Sequence, residues 1–130
     1  MSQRRVGLWL IGACGGVAST TALGLSALAR GQTPTTGMVT GLPQFAGHHF
    51  DPPGAFVLGG HDIRKGNFAT AARELHERSN VFDERTLAAC AADLEAWSEN
   101  IRPGAVYRPN AAITALADHD RKSTRLNSSH

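Results

Sequence analysis

An apolar run that stops on a cluster of glycines constrains this chain more than any other feature. Val6-Gly7-Leu8-Trp9-Leu10-Ile11 leads into Gly12-Ala13-Cys14-Gly15-Gly16, and small and apolar residues follow at once from Val17. The order reads as strand, tight turn and helix start. In an open α/β sheet such a turn aims backbone N–H groups at the pyrophosphate of a dinucleotide. Glycine is needed there because a Cβ would block the turn, the phosphate or the packing of helix on strand. The spacing is G-x-x-G-G, with Cys14 where the G-x-G-x-x-G fingerprint has its second glycine. Gly12, Ala13, Cys14, Gly15, Gly16 and Val17 are therefore the candidate phosphate loop. A cysteine at a helix N-terminus is expected to have a lowered pKa and to be more reactive than Cys90.

The same residues admit an export reading. Arg4-Arg5 precede an apolar stretch, and Ile11-Gly12-Ala13-Cys14 has the form of a lipoprotein cleavage box with Cys14 acylated. Two features argue against it. Val17 to Ala29 stays apolar and helix-compatible where a lipoprotein has a polar tether, and Gly7 and Gly12 suit a strand and turn better than a signal helix. A membrane span is disfavoured as well, because residues 6–29 carry four Ser/Thr and five Gly. The net charge of +2 is small and unclustered, so nothing calls for nucleic acid or an anionic membrane. Two distant cysteines favour a reducing compartment, and the cytoplasm is the expected location.

The remaining elements alternate. Val6–Ile11 is expected to be a strand buried on both faces. Gly16–Arg30 forms a helix closed by Gly31 in a left-handed cap, with Gly24 allowing close packing. Residues 32–53 are rich in Thr, Gly and Pro and read as a long functional or inserted connection. Ala55–Gly59 is a second strand, giving a right-handed βαβ unit. Asn67 caps a helix with the stripe Phe68, Ala71, Ala72, Leu75. Asp83 caps another with Leu87, Cys90, Leu94, Trp97 and Ile101 on one face, ended by Pro103-Gly104. Asn110 starts a short third helix through Leu116. The stripes are core-facing, and Cys90 reads as a small buried hydrophobe. His48, His49 and Asp51 share a Pro/Gly-rich loop without the convergent ligands that a metal needs, so no metal is expected.

Four segments together resemble a family. LIGACGGVASTTALGL, TGMVTGLPQF, FVLGGHDI and IRPGAVY look like the N-terminal part of myo-inositol-1-phosphate synthase (inositol-3-phosphate synthase) in its bacterial form. The resemblance runs from Val6 to about Asp118. The glycine loop is common to many dehydrogenases, whereas the Gly-Gly-x-Asp-Ile segment with the long loop before it is more specific. The resemblance implies an isomerase that converts glucose 6-phosphate into an inositol phosphate, serving inositol and phospholipid biosynthesis. Bound NAD oxidises the sugar transiently, an enolate closes the ring by an intramolecular aldol step, and the NADH formed reduces the product. It also implies a homo-oligomer, a tetramer in this family. His61 stands where the family usually has an aromatic residue, a departure that bears on packing around the adenosine.

Asp62, after the second strand, sits where an acidic residue bonds the ribose hydroxyls of NAD. A turn or helix-cap role is its plainer alternative. Arg64 and Lys65 nearby raise NADP as a possibility. The family relies on several lysines in a later domain to bind the sugar phosphate and stabilise the enolate. Here the only lysines are Lys65 and Lys122, which cannot form that clamp, so no catalytic residue is assigned. Residues 1–120 are thus expected to be an incomplete Rossmann-type NAD-binding α/β domain, a parallel sheet with flanking helices. Residues 121–130 (RKSTRLNSSH) read as a translated, non-native tail. The alternatives are an NAD(P)-dependent dehydrogenase with another substrate domain, and the exported lipoprotein.

Overall fold

The first strand ends where its glycine turn begins, and the rest of the fold follows from that turn. The computed structural model describes residues 4–106 and 110–117; the tail 121–130, with Lys122, lies outside them, as do Tyr107 and Asp118. In chain order the elements are β1 (Val6–Ile11), α1 (Gly16–Ala29), β2 (Phe56–Asp62), α2 (Phe68–Ser79), α3 (Glu84–Ser98), β3 (Ile101–Pro103) and α4 (Ala111–Leu116). The strands form one parallel sheet in the order β1-β2-β3. Val6 faces Phe56 and Ile11 faces His61 along the first pair. The chain is therefore α/β, with helices packed on a parallel sheet.

Local chemistry sets most boundaries. At the end of α1, Gly31 (φ +67°) takes the left-handed position. Its N–H donates to Leu28 O, while that of Gln32 donates to Ala27 O at 2.8 Å. This pair of bonds satisfies carbonyls that the helix leaves open. The three side-chain caps read from the sequence all form: Asn67 accepts from the Thr70 N–H, Asp83 from that of Thr86 and Asn110 from that of Ile113. Asn67 and Thr70 complete a reciprocal capping box. The connection between α1 and β2 is an exposed path with three single-turn 3₁₀ helices. Within it, His48 clusters with Phe45 and Phe50, and Asp51 pairs with Arg4. Among the described residues, no group of three His, Cys, Asp or Glu is placed to hold a metal.

The core lies on one side of the sheet. Ala22, Leu23 and Ala27 of α1, Phe68 and Ala72 of α2, and Leu87, Cys90 and Leu94 of α3 close over Leu58, with Leu8, Leu10 and Phe56 against them. Fully burying a side chain the size of Phe68 or Leu94 is worth about 1.5–3 kcal/mol, so this layer carries the fold. A polar clamp crosses it: Arg30 grips Asp93 through both carboxylate oxygens, and buried Ser26 donates to the same carboxylate at 2.6 Å. The Arg30 bonds, aided by Ser26, hold the Asp93 carboxyl below its ordinary range. The clamp is complete above the usual carboxylate range and weakens as pH falls through that lowered value.

Four expectations are corrected. β1 is buried on one face only, for Trp9 and Ile11 on the other remain 50% and 80% exposed; α1, α2 and α3 all pack on the opposite side. β2 runs to Asp62, beyond the expected Gly59. Ile101 does not continue α3, which stops at Ser98; it opens β3, which pairs with Gly60–Asp62. Gly24 gives no close contact either, since a Cβ there would meet nothing within 4 Å. Alanine is the better helix former by about 1 kcal/mol. Gly24→Ala should therefore raise the thermal midpoint, and a lower midpoint in a calorimetric scan would show that α1 needs its glycine for packing.

Candidate functional site

The candidate site sits at the carboxyl ends of β1 and β2, where an open parallel sheet places its ligands. Gly12 turns the chain out of β1 with φ +91°, a conformation that side-chain-bearing residues rarely adopt. The turn then folds back on β2. Gly12 and Ala13 both donate to the His61 carbonyl, at 2.8 and 3.0 Å, and Gly15 donates to Gly12 O at 2.9 Å. The Cys14 N–H donates to Asp62 Oδ2 at 2.7 Å. Gly60 makes this approach possible, because a Cβ there would run into the Leu10 carbonyl and lie 3.0 Å from Ala13 Cβ.

Asp62 is 6% exposed and serves two turns at once. Oδ2 holds Cys14, and Oδ1 accepts from the Arg64 N–H at 2.8 Å. The Arg64 guanidinium reaches back over the loop to donate to the Cys14 carbonyl at 2.9 Å. The plainer turn role of Asp62 is thus present in the structure, as a brace between the glycine loop and the turn before α2. A carboxylate has acceptor sites beyond two donors, and Asp62 also lines a cleft of about 350 Å³ with Ile11, Gly12, His61, Ile63 and Gly104.

The loop's donors divide sharply. Those of Gly12, Ala13, Cys14 and Gly15 are consumed within the turn. Gly16, Val17 and Ala18 form the first turn of α1, whose N–H groups have no partner inside the helix. Gly15 offers no side-chain cap, and no acidic residue stands in that turn. Val17 is 86% exposed, and Gly16, also exposed, has open space where a Cβ would point. Uncapped donors, a helix dipole and free approach suit an anionic group such as a phosphate. The structure brings Cys14 of the loop onto Asp62 and leaves Gly16 and Val17 as the exposed donors at the helix end. A larger groove of about 530 Å³ runs along α1 to the α2–α3 turn and contains none of these loop residues.

Cys14 behaves differently from its position in sequence. Burial is the main force raising its pKa above the ordinary thiol value, and the neighbouring Asp62 carboxylate adds to it, against a smaller opposing pull from Arg64. Desolvation and the carboxylate both favour the neutral thiol. Cys90 is free and fully buried. No known protein family matches the sequence, and no curated protein is significantly similar to it. Among the described residues, no helix is long and apolar enough to cross a membrane.

A raised thiol pKa leaves less thiolate at neutral pH, so Cys14 should be alkylated more slowly than a free cysteine and catch up only under alkaline conditions. It should still react before Cys90, which is inaccessible. Mass-spectrometric rates for both thiols across pH check this. A Cys14 rate at neutral pH above that of a free thiol would contradict the account.

Proposed function

We propose that the chain is the NAD-binding part of an isomerase of the inositol-3-phosphate synthase type, a cytoplasmic homo-oligomer acting on glucose 6-phosphate. The observation that carries the cofactor reading is the uncapped, solvent-open first turn of α1, set at the carboxyl ends of two parallel strands beside a cleft. The reaction and its substrate rest on the four sequence segments that resemble the family. NAD supplies a hydride acceptor for the sugar and a hydride donor for the product.

This chain's residues bind and orient. Gly16 lets a phosphate reach the helix end, and the N–H groups of Gly16 and Val17 receive it. Asp62 fixes the loop through Cys14 and lines the cleft, where a ribose hydroxyl would lie. Arg64 is occupied at the Cys14 carbonyl and beside the Asp62 carboxylate, an arrangement that favours NAD over a 2′-phosphorylated cofactor. The folded strand and turn also count against an acylated Cys14, since Val6–Ile11 is paired in the sheet and Cys14 is held by Asp62. The chemistry on the sugar belongs to lysines beyond this part.

Gly16→Ala separates folding from binding. The added Cβ meets nothing in the protein but intrudes on an approaching phosphate. Calorimetric titration should show NAD binding weakened at least tenfold, about 1.4 kcal/mol, with the thermal midpoint unchanged or slightly raised. Fusion to the lysine-bearing part of an inositol-3-phosphate synthase should then give conversion of glucose 6-phosphate. Equal NAD affinity in both chains, or no binding to either, would contradict the cofactor reading; binding without conversion in the fusion would contradict the isomerase alone.

A further inference from the structure

We propose that Trp9 and His61 form a proton-sensitive latch across the bare face of the sheet, closed when the His61 ring is neutral and released when it is charged. The proposal goes beyond the cofactor reading and does not depend on what fills the cleft. Trp9 Nε1 donates to His61 Nδ1 at 2.9 Å, and the two rings meet edge to face with centroids 5.2 Å apart. An indole N–H is a donor only, so His61 Nδ1 must be the unprotonated nitrogen and Nε2 must carry the hydrogen. A second proton would go to Nδ1 and set two donors against each other. The hydrogen bond is then lost and the rings separate.

The surroundings make this pair responsive. Trp9 is half exposed, so little burial holds its ring apart from His61 and the space above Gly59. A Cβ on Gly59 would lie 2.7 Å from the indole and 2.8 Å from Asn100 Cβ, which means that Gly59 is the seat of the ring. The groups facing His61 do not compensate an imidazolium. On β1 its opposite residue is Ile11. On β3 it is Arg102, a cation that donates to the Glu99 and Ile101 carbonyls. Asp62, next along the strand, is turned to the Cys14 and Arg64 N–H groups. His61 also lines the cleft, and its carbonyl holds Gly12 and Ala13, so the latch borders the glycine loop. The latch should open as the pH is lowered across the range in which His61 takes its second proton.

The test follows the two side chains through that range. In the unmutated chain, imidazole nitrogen spectra at neutral pH should show His61 Nδ1 as the unprotonated nitrogen, and the Trp9 indole proton should lose its hydrogen-bonded shift together with His61 protonation. In Trp97→Phe, which leaves Trp9 as the sole indole, emission should change over the same one-proton transition while the far-ultraviolet circular dichroism stays constant. His61→Gln keeps an acceptor for the indole but does not titrate there, and should abolish the transition. A protonated Nδ1 at neutral pH, an indole that ignores the protonation of His61, or a transition that persists in His61→Gln would each overturn the proposal.

Discussion

The Asp62 carboxylate fastens the glycine loop to the sheet, and the rest of the arrangement depends on that bond. A buried carboxylate is costly unless its oxygens are matched by donors. Here each oxygen takes one backbone N–H, from Cys14 and from Arg64. The turn before α1 and the turn before α2 therefore share one anchor at the end of β2. Together with the His61 carbonyl, which accepts from two loop residues, the anchor fixes the direction in which α1 leaves the sheet. The helix end then presents Gly16 and Val17 outward, because the earlier donors are already spent.

The second constraint is that the helical layer lies on one side. β1 and β2 pack on the helices through the face that carries Leu8, Leu10 and Leu58, while Trp9 and Ile11 on the other face stay exposed. Gly60 belongs to the first face and gives the loop room against Leu10 and Ala13; Gly59 belongs to the second and seats Trp9. Adjacent glycines thus serve opposite surfaces, one for the candidate phosphate loop and one for the ring pair. The alternation of a strand makes that division unavoidable.

Features governed by local chemistry were legible in the sequence. The strand before the glycines, the Gly31 cap and the caps at Asn67, Asp83 and Asn110 depend on neighbours within a few residues, and residue type announces them. β3 was not legible. It is three residues long, contains Pro103 and begins at Ile101, four positions after Trp97, so it continues the helical stripe of α3 and is distinguished only by pairing with β2. The bare face of β1 was hidden for a related reason: an apolar run does not say on which side the helices pack. For Cys14 the helix end was visible, but burial and the approach of Asp62 from 48 residues away were not, and they reverse the direction of its pKa. The Gly-Gly pair of β2 was noticed as a motif, whereas its reason, two close approaches on opposite faces, appears only in three dimensions.

The central claim is that the loop's donors are divided between those locked into the sheet and those kept for a ligand, and amide hydrogen exchange measures it residue by residue. In the free chain the Gly12, Ala13 and Cys14 amides should be protected with the core of β2, while those of Gly16 and Val17 exchange at nearly unprotected rates. Saturating NAD should slow Gly16 and Val17 and leave Cys14 unchanged. Fast exchange at Cys14 in the free chain, or Gly16 and Val17 amides that stay fast with NAD bound, would contradict the account.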